Sequence, residues 1–381
     1  MQIYIVQPGD SVDSIAGKLG AVVAEIIYIN QLVWPYRLAV GQALLLPGVD
    51  EEAEPDWRQF WAFGYAYPFI DEEVLRASLP YLSGVAVFSY GFSEEGWLVP
   101  PVGPEEELIG ATLAYGAQPI LTLTPFGPDG NFNNYLISRM LASPEARERL
   151  YGEIAATMAA KGYQGVDVDF EYIMRADRDA FSSFVGELAE VVHRRGWSLS
   201  VALAPKTYAA QPGLLYEGMD YQALGAAADS VLVMTYEWGY TYSEPMPIAP
   251  LNWVRQVVEY ALTEIPAAKI NLGIPNYAYD WRLPYVKGES KARTLGGVEA
   301  MRQAAEVGAE IFYDELAEAP YYNYWQEGAE HEVWFEDARS IRAKLELIRE
   351  YGLRGGGWWQ LMRLFRAGWL ELASRFAIIK S

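Results

Sequence analysis

The 381-residue chain carries 29 basic against 50 acidic residues, a net charge of −21. That balance argues against nucleic acid, whose phosphates are bound by clustered Lys and Arg, and equally against an anionic membrane surface. An apolar fraction of 51% is ample for a core, and no run of about eighteen uncharged apolar residues suggests a membrane span. The absence of cysteine excludes disulfides, thiolate zinc sites and thiol nucleophiles. His193 and His331 lack metal-ligand neighbours at useful spacing, so neither a metal nor another cofactor is expected. Aromatics make up 14% of the chain, and flat apolar rings with polar tips suit sugars, although many will be core.

Residues 1–48 read as a separate small unit. A strand at Ile3 to Val6 is followed by a turn at Pro8-Gly9-Asp10, Ser11 before a short helix ending near Gly20, a second helix from Val23 to Asn30, and a closing strand at Leu44-Leu45-Leu46-Pro47. The start lacks a basic segment followed by an apolar one, so no secretory signal is visible. Through Tyr4-Ile5-Val6-Gln7-Pro8-Gly9-Asp10-Ser11, Ile15-Ala16, Asn30 and Gly41-Gln42-Ala43-Leu44-Leu45-Leu46-Pro47 the unit resembles the LysM module. The resemblance implies binding of N-acetylglucosamine-containing glycans, peptidoglycan or chitin, with Gly9, Asp10, Ser11 and Val12 on one side of a groove and Asn30, Gln31 and Leu32 on the other. Asp10 and Ser11 also suit a helix cap, and both roles can hold together.

A charged linker with a proline stop follows over 49–56, suggesting two independently folded parts. From 57 to 381, strand and helix patterns alternate. Eight strands read at about Trp61–Tyr67, Gly84–Tyr90, Gln118–Thr124, Gly165–Tyr172, Ser198–Pro205, Ser230–Tyr236, Lys269–Pro275 and Gly355–Leu361. Helical patterns lie between them, as at Pro144–Lys161, Arg178–Arg195, Leu251–Ile265 and Ala338–Tyr351. The pattern predicts an α/β fold, a (β/α)8 TIM barrel with a small insertion between strands seven and eight, preceded by the βααβ module. The insertion includes a helix near Val298–Val307 and aromatic strands around Ile311–Tyr313 and Glu332–Phe335.

In Gly165-Val166-Asp167-Val168-Asp169-Phe170-Glu171-Tyr172 three acids alternate with three apolar residues. Successive side chains of a strand face opposite sides, so the acids form one row with the apolar groups behind them. The octet alone also fits a solvated face of an antiparallel strand. Its setting among apolar strands and helices instead predicts a parallel sheet covered on both faces, where a buried acid row requires a function. Crowded acids resist simultaneous ionisation, and a protonated carboxyl beside ionised ones is what glycosidic bond cleavage needs. Active sites of such barrels lie at the C-terminal strand ends, where Glu171 is joined by Tyr236-Glu237-Trp238, Asn276-Tyr277 and Trp358-Trp359.

The octet resembles the signature of glycoside hydrolase family 18, Asp-x-x-Asp-x-Asp-x-Glu, with Gln164 in place of the first acid. Met234-Thr235-Tyr236-Glu237-Trp238-Gly239, Tyr279-Asp280-Trp281 and Val333 to Ile341 narrow the resemblance to the spore cortex-lytic N-acetylglucosaminidase group. Relatives there often have two LysM modules and a Gly-Arg-Pro-Phe-Pro-like segment after strand eight. Here there is one module and Met362-Arg363-Leu364-Phe365. The resemblance implies retaining, substrate-assisted hydrolysis in which the 2-acetamido oxygen attacks. Glu171 would be the general acid, Asp169 would orient the acetamido group, Asp167 would share a proton with it, and Tyr236 would bond the acetamido carbonyl. Tyr65, Asn276, Tyr277, Glu237, Trp238 and Trp359 would contact substrate, Trp359 as the pocket floor. Because Asp169 and Glu171 adjoin on one strand face, no second carboxylate is expected across the bond.

The expected function is a peptidoglycan N-acetylglucosaminidase acting on spore cortex, monomeric and associated with the spore or cell envelope. A chitinase using the same residues is the enzyme alternative. A non-catalytic glycan-binding coat protein is the third, which the presence of Glu171 disfavours.

Overall fold

The structure is a computed structural model and describes residues 1–47, 58–127 and 133–380. The linker expected at 49–56 lies outside the described residues. In the N-terminal module, strands Gln2–Ile5 and Ala43–Leu46 pair antiparallel, with Ile3 opposite Leu45. Helices Val12–Leu19 and Val23–Ile29 lie between them. Ser11 caps the first helix reciprocally: its Oγ accepts from Ser14 N at 3.1 Å, and its own N–H donates to Ser14 Oγ at 2.9 Å. Val6, Val12, Ile15, Ile26, Leu44 and Leu46 give the module a small core of its own.

The eight expected strands form a closed parallel barrel. They run Gln59–Ala66, Gly84–Phe92, Gln118–Leu123, Gly165–Val168, Ser198–Leu203, Ser230–Val233, Ile270–Pro275 and Gly355–Trp359, and are numbered one to eight below. Strand eight closes onto strand one with Gly357 opposite Phe63. Side chains alternate between the barrel interior, where Phe63, Tyr65, Ala86, Ile120 and Leu232 cluster, and the shell of helices. Covering both faces in this way explains why the strands read as apolar runs.

The insertion begins directly after strand seven and is larger than the sequence suggests. It is a five-stranded antiparallel sheet in the spatial order 293–295, 278–282, 329–334, 319–326 and 312–314, with helix Gly297–Val307. The Tyr279-Asp280-Trp281 segment forms its second strand. Burial alone would raise the Asp280 carboxyl, but bonds from Tyr324 at 2.7 Å, His331 at 2.8 Å and Arg293 at 3.0 Å hold it below its ordinary value. With Gln303 of helix Gly297–Val307 donating to Asp280 at 3.2 Å, this buried polar knot ties four strands and a helix together.

The module is not a loosely attached bead. Ile29, Ala39 and Leu45 are buried in the main core rather than in the module's own. Arg366, at the start of helix Arg366–Ala373, donates its backbone N–H to Gln31 Oε1 at 2.7 Å. Its guanidinium donates to Tyr28 O at 2.8 Å and stacks 4.0 Å over the Tyr28 ring. Ile311 N of the insertion donates to Val40 O at 2.8 Å. The two parts on either side of the expected linker thus pack against each other. Composition can mark a linker, but it carries no information about the surfaces on either side.

Gly41 sits where the module meets the insertion. Its φ is +80°, and a Cβ there would lie 1.9 Å from Ile311 O, so both conformation and space demand glycine. Gly41→Ala should cost about 1–3 kcal/mol of stability and should lower or split the main calorimetric transition. An unchanged midpoint would show that the interface does not contribute to the cooperative unit.

Candidate active site

Strand four carries the acid row, but its ladder is shorter than expected. It ends at Val168, which pairs with Leu123 and Val201, so a strand through Tyr172 overshoots. Asp169 N still donates to Leu123 O at 2.9 Å, and at Tyr172 the backbone turns away with φ 54°. The alternation nonetheless persists past the ladder. Val166, Val168 and Phe170 are fully buried, and Phe170 stacks on Phe181 and Phe184 of helix Arg178–His193 at 5.7 and 5.8 Å. With the apolar side chains taken by the helix shell, the acids face the barrel axis.

The three carboxyls meet different surroundings. Asp167 is fully buried and accepts from Tyr65 Oη at 2.9 Å and Ser200 Oγ at 2.5 Å. Burial raises it, while these two bonds pull it back down. Asp169 has no such support: its Oδ1 has no hydrogen-bond partner among the described residues. Burial first, then the Glu171 and Asp167 charges, hold it well above the usual carboxylate range. Glu171, half-buried at the cleft, is raised by burial and then by Glu237. All three acids are raised, Asp167 with two bonds that offset part of the rise, and such a row can retain a proton near neutrality.

Strand ends supply the walls. Trp359 closes strand eight, its ring 5.5 Å from Tyr65 and 4.8 Å from Phe88. Tyr236 follows strand six, and its ring passes over Gly273 of strand seven, where a Cβ would lie 2.8 Å from Tyr236 Cε1. Thr235 Oγ1 donates to Gly273 O at 2.8 Å and fixes that crossing. The buried Tyr277 hydroxyl is pushed well above its ordinary value by burial and then by the neighbouring Glu237 charge. Glu237 is exposed to the cleft and accepts from Tyr279 Oη at 3.0 Å; even so, the apolar walls withdraw enough water to raise its carboxyl. Since its charge acts on Glu171, a second carboxylate does line the cleft. The expectation that none would stand there came from strand four alone and took no account of strand six.

Glu171, Tyr236, Glu237 and Trp238 bound one cleft of about 410 Å³. Tyr172, Tyr216, Met234 and Tyr240 complete its wall without having been singled out in the sequence. Met234 was within reach, because it lies two residues before Tyr236 in an alternating segment. The tyrosines stand on loops, where no period announces them. Tyr65 and Trp359 lie against the Asp167 side of the row. Asn276 is occupied otherwise: its Nδ2 donates to Gln360 O at 2.9 Å and Arg363 O at 2.8 Å, pinning the loop after strand eight.

In the module, Asp10 accepts from Gln7 N at 2.8 Å and Tyr4 Oη at 2.7 Å. Gly9 and Ser11 are exposed, and Val12 is buried in the module core. Asn30 is buried as well. Its Nδ2 donates to Ile26 O and Leu45 O, each at 2.9 Å, and its Oδ1 accepts from Leu45 N at 2.7 Å. Gln31 is engaged by Arg366, and half-buried Leu32 follows it.

Residues 123–363 match the family model for glycosyl hydrolases family 18, and residues 4–47 match that for the LysM domain. The chain is 37% identical to a cortical fragment-lytic enzyme of Bacillus subtilis, covering 100% of this chain and 99% of that protein. The crystal structure of the spore cortex-lytic enzyme SleL of Bacillus megaterium matches with a TM-score of 0.93 at 30% identity, over 100% of this chain and 99% of that one. A chitinase of Chromobacterium violaceum matches with a TM-score of 0.76 at 26% identity, over 83% of this chain and 98% of that one. The family match spans more than half of the chain and takes in the acid row and the strand ends around it: the chain belongs to the glycosyl hydrolases of family 18 and is a glycoside hydrolase with an N-terminal LysM domain.

Proposed function

We propose that this glycoside hydrolase cleaves the β-1,4 bond after N-acetylglucosamine in spore cortex peptidoglycan, by retaining, substrate-assisted hydrolysis. The observation that carries the mechanism is Asp169, buried beside Glu171 with an oxygen that no described residue satisfies. A buried acceptor without a partner among the described residues, two positions before the cleft-lining Glu171, calls for a donor from the ligand, and an acetamido N–H is such a donor. Glu171, kept protonated by its surroundings, donates to the leaving oxygen and then takes a proton from water. Asp169 holds the acetamido group so that its oxygen reaches the anomeric carbon, and stabilises the cationic ring that forms. Asp167 shares a proton with Asp169, Tyr236 donates to the acetamido carbonyl, and Trp359 supports the sugar from below. The end-to-end likeness to cortex-lytic proteins supports peptidoglycan as substrate and the spore as the place of action. The N-terminal LysM domain is consistent with a glycan-bearing wall.

The test compares release of reducing ends from purified spore cortex and from colloidal chitin, with proton NMR of the first-formed product. Cortex should be the better substrate, the anomer should be retained, and a de-N-acetylated substrate should be inert. Preference for chitin would move the enzyme to the chitinases. Good turnover of the de-N-acetylated substrate would instead make Glu237 the candidate nucleophile. Glu171→Gln should keep the fold and lower turnover at least ~10²-fold.

Asp169 also bears on stability. Its folded-state pKa is raised, so its contribution is fully present below the unfolded carboxylate value and is lost as pH rises through the folded value. Asp169→Asn removes that loss. It should abolish most activity yet melt higher than wild type by a margin that grows as pH rises above the ordinary carboxylate value of about 4. A margin independent of pH would show that the acid is not strained.

Glu237 raises the Glu171 carboxyl through its charge. Activity that needs protonated Glu171 falls as pH rises through that group's pKa, so Glu237→Gln should move the alkaline limb of kcat/KM to lower pH. An unmoved limb would separate Glu237 from the proton donor.

A further inference from the structure

Away from the catalytic cleft, the docked module and the insertion enclose a cavity of about 300 Å³ between the segment 30–37 and helix Gly297–Val307. Val298, Met301, Arg302 and Ala305 recur at helical spacing and form one wall. The opposite wall is held from within the module. Asn30 bonds both Ile26 and Leu45, and Tyr36 N donates to Val33 O at 2.7 Å. On this braced segment Trp34 is 81% exposed, steadied by the Tyr36 ring edge-on at 5.7 Å. An aromatic that is oriented but left in water beside a concavity offers a face on which a sugar ring can stack.

Charge adds a second, independent observation. In a chain of net charge −21, this cavity presents Arg37 and Arg302 against the single carboxylate of Glu306. Arg37 has no ion pair among the described residues. Arg302 reaches only Glu306, at 3.8 Å, and the side chains of both are half in solvent. The cavity adjoins a second hollow of about 520 Å³, which shares Gln31, Val298 and Arg302 with it, reaches Asn276 and Arg363 beside the ends of strands seven and eight, and carries the carboxylates of Asp71, Glu73 and Glu299, so the positive balance is confined to the first cavity. The loop edge of the module, the insertion helix and the barrel mouth thus border one continuous surface. It lies on the flank of segment 30–37 that faces the insertion, and none of Gly9 to Val12 lines it.

We propose that this composite cavity is a second peptidoglycan site, taking a peptide-bearing amino-sugar unit of the strand. Trp34 stacks on the sugar, and Arg37 and Arg302 receive carboxylates of the peptide, which neutral chitin lacks. The proposal rests on peptidoglycan as the substrate. Its consequence is that the module holds the strand at a fixed distance from the barrel mouth, because both walls of the site are parts of one packed body.

The test uses the full chain with Glu171→Gln, so that substrate is bound but not cut, and measures co-sedimentation with three solids: intact sacculi, sacculi stripped of their free carboxylates by carbodiimide amidation, which leaves the cross-links in place, and chitin. Trp34→Ala and Arg302→Glu are surface changes, and in the otherwise wild-type chain each should leave thermal stability and hydrolysis of a soluble N-acetylglucosamine tetramer unchanged. Both should weaken binding to intact sacculi at least ~10-fold. Only Trp34→Ala should weaken binding to stripped sacculi. Undiminished binding of both variants to intact sacculi overturns the site. An equal loss for Arg302→Glu on intact and stripped material overturns the role given to the arginines. Failure of the parent to bind sacculi while it binds chitin overturns the peptidoglycan reading itself, a result read before any variant is compared.

Discussion

Burying Asp167, Asp169 and Glu171 along one edge of a barrel strand takes three carboxyl groups out of water while they repel one another. Much of the surrounding architecture meets that constraint. Tyr65 and Ser200, from the strands one and five, supply two donors to the deepest acid, which no single strand could do for itself. Helix Arg178–His193 takes the alternate apolar side chains, so the strand cannot slip by one residue without burying Val and Phe in the cleft and acids in the shell. The acids act on the walls in turn: after burial, their charges help to push the Tyr65 and Tyr236 hydroxyls well above their ordinary values. Both tyrosines are therefore fixed as donors throughout the working range of pH.

The barrel was legible because a parallel strand covered on both faces has one chemical requirement along its whole length, so its boundaries fall where apolar runs stop. Strand four was the exception. Alternation continued to Glu171 although the paired ladder ended at Val168, because side-chain facing needs only extended backbone, not a ladder. The acid row was legible for the same reason. Less could be inferred about residues whose role depends on a partner distant in sequence. Asn276 looks like a cleft residue at a strand end, yet both its amide donors hold the loop that follows strand eight. Asn30 looks like part of a glycan groove, yet its amide joins helix to strand inside the module. An exposed-looking asparagine in a sequence carries no mark of which carbonyls will lie beside it.

Docking of the module belongs to the same class of hidden information. The residues that make the contact, Tyr28, Gln31, Gly41 and Ile311 to Arg366, are unremarkable singly and lie hundreds of positions apart. Their effect on function is nonetheless large. A module on a free tether raises local concentration in all directions, whereas a docked module presents its glycan surface at one distance and angle from the catalytic mouth. The contact through Arg366 is also close to the chemistry in the chain, because the segment between Trp359 and Arg366 is held at one end by Asn276 and at the other by Gln31. Trp359 and the module are thus braced by the same short loop.

The unequal support of the acids also locates the resting proton. Asp167 is stabilised as a carboxylate by two hydroxyl donors, while Asp169, with an unsatisfied oxygen and charged neighbours on both sides, is the group burial penalises most. On the mechanism proposed above, the proton that Asp167 and Asp169 share is therefore favoured on Asp169 before substrate arrives. In that state Asp169 can orient a bound group but cannot oppose a positive charge at full strength. Two events reverse the balance together: transfer of the Glu171 proton to the leaving oxygen adds a negative charge nearby, and the ring and acetamido group acquire a positive one between them. The second outweighs the first only if the cationic group sits closer to Asp169 than Glu171 does, which is what an acetamido nitrogen bonded to the open Oδ1 provides. A substrate lacking that nitrogen leaves the proton where it rests and the charge unopposed. Selectivity for N-acetylated sugars then follows from where the proton sits as much as from the shape of the cleft.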